Sequence, residues 1–183
     1  MDYKFYYSNN NGKDDYGLKY IDDYGNGLKC TEYKIKYPPQ CQCEQPGLEY
    51  LMNPRPIFDN DNYIGSGKLK DKVAIITGGD SGIGRAVAIA YVKEGASVVL
   101  PYYNEHEDAN ETKEYIESLG GKCLLLSGDV KDTDFCDYIV SETINNFGKI
   151  DILVNNAGVQ FQQKSLLDIS DGQFDYTMKT NMY

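Results

Sequence analysis

The sequence predicts an α/β fold in which a parallel sheet is covered by helices on both faces, and three observations carry that prediction. From Lys70 onward, short apolar runs alternate with longer amphipathic ones. The short runs, such as Val73-Ala-Ile-Ile76, are apolar at every position, so neither face of the strand suits water. Their order, βαβαβαβα, is that of strands joined by crossover helices.

Each element has its own signal. Val73 to Thr77 reads as a buried strand, and Ile83, Ala86, Val87 and Ala90 then recur at helical spacing as the expected apolar face of a helix stopped by Gly95. Ser97 to Leu100 is the second strand, followed by a helix from about Glu107 to Leu119 that Gly120 ends. Cys123 to Leu126 is the third strand. The helix after it, near Thr133 to Phe147, is expected to turn Cys136, Ile139, Val140, Ile144 and Phe147 inward. Ile152 to Val154 forms the fourth strand. The last helix starts at Ser170, where Ser-x-x-Gln173 makes a capping box, and places Phe174, Met178 and Met182 on one face.

The first 70 residues have a different texture. They hold ten of the seventeen tyrosines and few Leu, Ile or Val, a composition that cannot bury much of a core. Residues 1–36 are expected to be a low-complexity, disordered tail, in which Asp14-Asp-Tyr-Gly17 recurs as Asp22-Asp-Tyr-Gly25. A tyrosine-rich tail that binds a partner is the functional alternative. Residues 37–69 are kept extended by prolines, from Tyr37-Pro-Pro through Asn53-Pro-Arg-Pro56, and form an arm that does not fold alone. Asp59-Asn-Asp-Asn62 resembles the start of a calcium loop, but Ile64 stands where the sharp turn needs glycine. Residues 70–183 are the domain proper.

Composition excludes several functions. A net charge of -10 and a pI near 4.5 would repel nucleic acid, and no local basic cluster offsets this. No apolar leader and no run long enough to span a bilayer occurs, so no membrane association and a cytoplasmic location are expected. Five cysteines, at 30, 41, 43, 123 and 136, fit reduced thiols better than a disulfide framework. Cys41-x-Cys43 with Cys30 lacks zinc-knuckle spacing, so no metal is expected. The lone histidine, His106, leaves no material for a two-histidine metal motif and reads as a solvated loop residue.

The stretch Thr77-Gly-Gly-Asp-Ser-Gly-Ile-Gly-Arg-Ala86 holds the chemistry. Gly79-x4-Gly84 is one step from a nucleoside-triphosphate loop, but that motif needs Lys and then Ser or Thr, and here Arg85 and Ala86 follow. The alternative is a dinucleotide loop. In it Gly78 makes the tight turn, Gly82 lets the backbone approach a pyrophosphate, and Gly84 packs helix on strand. The helix beginning at Ile83 then points its free N–H groups and positive dipole end at that anion.

With that loop in place, the chain resembles the short-chain dehydrogenases/reductases. Their Thr-Gly-x-x-x-Gly-Ile-Gly is met at Thr77–Gly84, their acidic residue after the third strand at Asp129-Val130, and their Asn-Asn-Ala-Gly at Asn155–Gly158. Asn181 matches the asparagine of the family's catalytic tetrad. The arm further resembles the N-terminal extension of the general stress protein and glucose/ribitol dehydrogenase subgroup. The resemblance implies the N-terminal half of a Rossmann doubly wound sheet with strand order 3-2-1-4, alcohol/carbonyl hydride transfer, and NAD or NADP held by Gly78, Asp80, Ser81, Gly82, Ile83, Gly84, Tyr102, Asp129, Val130, Asn155, Ala157 and Gly158. The end of the second strand has Tyr102 where the cofactor's second phosphate would be read, with Glu105 close by and no Arg or Lys, which leans to NAD.

The family's general acid/base is a tyrosine followed four residues later by lysine. None of the seventeen tyrosines has lysine at that spacing, and no serine here is matched to the family's tetrad. Asn181 is therefore expected to be a tetrad member without its tetrad, in a truncated oxidoreductase that is inactive alone and would take a small alcohol or carbonyl substrate only in full-length form. A non-catalytic NAD(P)-binding or regulatory module is the alternative reading. The fourth strand is expected to be an apolar sheet edge that invites oligomerisation or aggregation.

Overall fold

The computed structural model describes residues 40–42 and 45–182. The tail 1–36 with its repeat, and Cys30, Cys43 and Tyr183, lie outside the described residues. Residues 42–183 form one unit, in which four parallel strands run in the order β3-β2-β1-β4. The strands are β1 (Val73–Ile76), β2 (Ser97–Tyr102), β3 (Cys123–Ser127) and β4 (Ile152–Val154); the helices are α1 (Gly82–Lys93), α2 (His106–Ser118), α3 (Thr133–Phe147) and α4 (Asp171–Asn181). Val98 pairs with Ala74 on one side and Cys123 on the other, and Ala74 pairs with Ile152. No helix among the described residues is long and apolar enough to cross a membrane.

Side chains alternate across the sheet, so each central strand feeds two cores. Ala74, Ile76, Val98 and Leu100 point to one face, where Ala88, Ile89 and Val92 of α1 and Ile116 of α2 cover them. Ile75 and Val99 point to the other, against Phe135 and Ile139 of α3. That two-sided burial is what the unbroken apolar strands require.

β2 runs two residues further than the sequence predicts, through Pro101 to Tyr102. A proline inside a central strand lacks a ladder donor. It is tolerated because Pro101 faces the β1 side beyond the last β1–β2 pair; there its carbonyl accepts the Gly78 N–H at 2.8 Å.

Three predicted faces need correction. α1 buries Gly84, Arg85, Ala88, Ile89 and Val92, whereas Ile83 is 78% exposed and Ala86, Val87 and Ala90 are only half-buried. The buried face, Arg85, Ala88, Ile89 and Val92, lies two residues on from the predicted one, because Arg85 turns inward where hydropathy alone would leave it in water. α3 buries Phe135, Ile139 and Thr143, leaving Cys136, Val140 and Ile144 exposed. Phe135 sits so close over Gly128 that a Cβ there would lie 2.4 Å from the ring, and Thr143 satisfies its hydroxyl on the Ile139 carbonyl at 2.7 Å. α4 has the expected Ser170–Gln173 capping box but buries no residue, and Phe174 and Met182 are exposed.

Candidate functional site

The crevice where strand order reverses, beyond the carboxyl ends of the parallel sheet, falls here between β1 and β4. A cavity of about 290 Å³ opens there. Its floor is the loop after β1, with Gly78, Asp80, Ser81, Gly82 and Ile83. One wall is Tyr102 and Asp129-Val130 at the ends of β2 and β3; the other is Ala157-Gly158 after β4. Gly84 lies behind the floor, and Asn155 is not in the wall; its neighbour Asn156 is.

The three glycines of the loop differ in what a side chain would meet. Gly78 and Gly82 have φ of +63° and +53°, the left-handed region that L side chains rarely adopt. A Cβ on Gly82 would meet nothing within 4 Å, so the backbone there faces open cavity. A Cβ on Gly84 would lie 2.0 Å from the Gly78 carbonyl oxygen, so only glycine lets α1 pack this close to the turn.

The loop is tied to β4 by side chains. Thr77 Oγ1 accepts the N–H groups of Asn156 and Ala157, both at 3.0 Å. Asn156 Nδ2 donates to the carbonyls of Thr77 and Gly78 at 2.9 and 3.0 Å. Asn156 was missed in the sequence because both asparagines of the pair look alike in isolation; just beyond β4, Asn155 is exposed while Asn156 lies on the loop.

Behind the loop lies a buried charge network that the sequence reading did not anticipate. Arg85 is 0% exposed. Its Nη1 donates to Glu49 Oε1 at 2.7 Å, its Nη2 to the Asp108 carbonyl at 2.9 Å, and its Nε to Thr112 Oγ1 and the Asp80 carbonyl. The guanidinium also stacks 4.9 Å from the Phe58 ring centre. Asp108 in turn accepts the N–H groups of Glu49 and Tyr50 at 2.7 and 2.9 Å. Arg55 closes the network with a bidentate pair to Glu111. The one available signal was an arginine among small residues on the inward face of α1, since a buried cation needs a buried anion.

Two tethers hold the rest of the arm. Asp59, in the stretch that resembles a calcium loop, accepts from Lys93 Nζ and from Tyr115 OH at 2.6 Å. Burial opposes its charge, yet those two hydrogen bonds hold its carboxyl below the usual range. Glu94 accepts from Tyr63 OH and from the N–H groups of Ser66 and Lys68, and the Tyr63 bond above all holds it down to about 2.

Electrostatically the cavity is acidic. Burial, and then the neighbouring Glu105, push the Asp80 carboxyl up to about 6. Tyr102 OH and His106 Nδ1 share a hydrogen bond of 2.9 Å, so His106, exposed but at the start of α2 rather than in a loop, steadies a side chain of the cavity wall. Asn181 lies outside this cavity and lines a second one of about 560 Å³ with Gly158, Val159 and Phe161. There its amide clasps the backbone of Val159, accepting the N–H and donating to the carbonyl, each at 2.9 Å. Among the described residues, no group of three or more His, Cys, Asp or Glu could hold a metal ion.

Comparison with known proteins points the same way as the geometry. A model of the short chain dehydrogenase family matches residues 72–183. The chain is 52% identical over 153 residues to general stress protein 39 of Bacillus subtilis (strain 168), covering 84% of this chain and 54% of that protein. It is 38% identical over 154 residues to the glucose and ribitol dehydrogenase of Daucus carota, covering 81% and 53%. The chain thus spans about half the length of the curated relatives it matches. Its fold superposes on the crystal structure of a short chain dehydrogenase from Burkholderia cenocepacia J2315 in complex with NADP, with a TM-score of 0.60 and 36% identity over 63% of this chain and 46% of that one. A short chain dehydrogenase from Mycobacterium smegmatis gives a TM-score of 0.60 at 33% identity, covering 64% and 49%.

Proposed function

Because the chain belongs to the short-chain dehydrogenase family, we propose that its crevice between β1 and β4 holds NAD or NADP, as the cofactor-binding part of an oxidoreductase acting between alcohols and carbonyls. The observation that carries this reading is the glycine loop: Gly82 puts no side chain between the cavity and the N-terminus of α1, where the N–H groups that follow its own and the helix dipole attract a pyrophosphate. Asp80, Ser81 and Ile83 would line the rest of that cradle. Asp129 and Val130 would meet the adenine, Tyr102 the adenosine ribose, and Ala157-Gly158 the nicotinamide half. When bound, the nicotinamide supplies or accepts the hydride.

Among the residues lining the cavity none is Lys or Arg, while Asp80, Glu105 and Asp129 bring carboxyls. A 2′-phosphate would meet those carboxyls with no cation in the wall, which favours NAD over NADP. No tyrosine in the chain is followed four residues later by lysine, so this part is expected to bind cofactor without turning substrate over by itself. That same absence supports the second reading, a non-catalytic NAD(P)-binding module. In either case the exposed apolar surface of β4 and α4 would be covered by further chain or by self-association.

The test is a titration of the purified chain with NADH and NADPH, followed by nicotinamide fluorescence, and then an assay of carbonyl reduction. Saturable binding, tighter for NADH, with no turnover is expected. Absence of binding would sink the cofactor reading, and robust turnover would sink the restriction to binding.

A further inference from the structure

The family match begins at residue 72, yet a side chain from the arm before it reaches the start of α1. Glu49 is 3% exposed, and its two carboxylate oxygens do different things. One accepts from Arg85 at 2.7 Å; the other accepts the N–H of Gly82 at 2.5 Å, the residue whose bare backbone faces the cavity. Pro46, three residues earlier, stands in the wall of that same cavity. We infer that the arm is an integral part of the dinucleotide site, with Glu49 a positioning residue that holds the glycine loop in its open turn; this rests on the cofactor reading above.

The arrangement has a physical logic. A glycine loop with positive φ at Gly78 and Gly82 has many conformations available, and ordering it on binding would weaken affinity. A carboxylate hydrogen-bonded to the first N–H of α1 removes that freedom beforehand, in the place where an anion also stabilises a helix start. A bare carboxylate so near the pyrophosphate would repel it. Arg85 cancels that charge from behind while also tying Thr112 and the Asp80 carbonyl to the same point. Asp108, by accepting the N–H groups of Glu49 and Tyr50, fixes the arm at the height where Glu49 reaches the loop. Geometry is thus supplied with the Glu49 charge paired at its own carboxylate.

The experiment uses the full chain and three substitutions, E49A, E49Q and E49D. NADH affinity is read by nicotinamide fluorescence, and amide hydrogen exchange is read on peptides covering Thr77–Gly84 and Val98–Leu100. E49A is expected to lose at least about tenfold in NADH affinity, with the loop peptide exchanging about tenfold faster and the β2 peptide unchanged. E49Q, which keeps an oxygen for the Gly82 N–H, is expected to recover most of both effects. If E49A does not fold, E49D is read the same way, as its shorter side chain cannot span both partners. Wild-type NADH affinity in the folded Ala or Asp variant would overturn the inference. So would equal acceleration in both peptides without rescue by E49Q, which is the mark of a merely structural residue. Failure of the wild-type chain to bind NADH or NADPH would instead overturn the cofactor reading and remove the inference with it.

Discussion

Two ends of this fold invert the usual distribution of polarity. At the end where α1, α2 and the arm meet, Arg85, Glu49 and Asp108 are 0%, 3% and 0% exposed. At the β4–α4 end, Leu153 is 58% exposed, Leu167 95% and Phe174 62%. Burial therefore follows the presence of a complementary surface, not hydropathy by itself. The charged side chains go inside because each finds its counter-ion and hydrogen-bond partners there; no buried side-chain polar atom among the described residues lacks a partner. The apolar ones stay outside where no described element packs over them.

Substitutions can break or sharpen that contrast. The largest effect is expected at the charged end: Arg85→Met leaves buried Glu49 and Asp108 with only the partly exposed Arg55, at 3.9 and 3.7 Å, and should cost about 3–5 kcal/mol in urea unfolding. The double variant with Glu49→Gln should recover much of that loss, since a buried pair is harmful chiefly when half of it is removed. If the double variant is as unstable as the single, the network is not the reason for burial. Next in size, Gly84→Ala must displace the Gly78 carbonyl that its methyl would meet at 2.0 Å; a loss of about 3 kcal/mol and of NADH binding is expected.

Asp80 gives a pH test of the same end. Its folded pKa of about 6 lies above the ordinary carboxylate value, so the stability tied to its protonated form is complete below about pH 4 and is lost as pH rises through 6. Asp80→Asn removes that titration. Its stability relative to wild type should therefore climb by about 2–3 kcal/mol between pH 4 and pH 7.5, followed by thermal unfolding. Glu94 and Asp151, held down to about 2 by hydrogen bonds, slope the other way in both proteins, losing stability as pH falls below about 4, and so cancel in the difference. A flat difference across that range would show that Asp80 is solvated.

The smallest effect is expected at the apolar end. Leu167→Ser should change stability by less than about 0.5 kcal/mol, because the side chain has almost nothing to leave. A loss several times larger in the purified chain would mean that the surface is covered in solution, and sedimentation of the wild type would then show an assembly.

The elements of this fold were readable because they are local. Apolar runs, helical spacing, the Gly95 and Gly120 helix stops and the Ser170 capping box each lie within a few residues of what they control. The glycine loop was readable for the same reason: a methyl group's size and a backbone's φ are set by the residue itself. The inward faces of α1 and α3 were read wrongly because a pattern of hydropathy cannot say that an arginine will meet a glutamate 36 positions earlier. Nor could it choose Asn156 over Asn155, since only pairing of β4 with β1 decides which one reaches the loop. The sequence by itself determined the sheet, its crossover order and the bare backbone of the loop. Tertiary structure alone decided which charges are buried and that the arm reaches the loop's first N–H, because those depend on partners brought together across the chain, which leave no spacing in it.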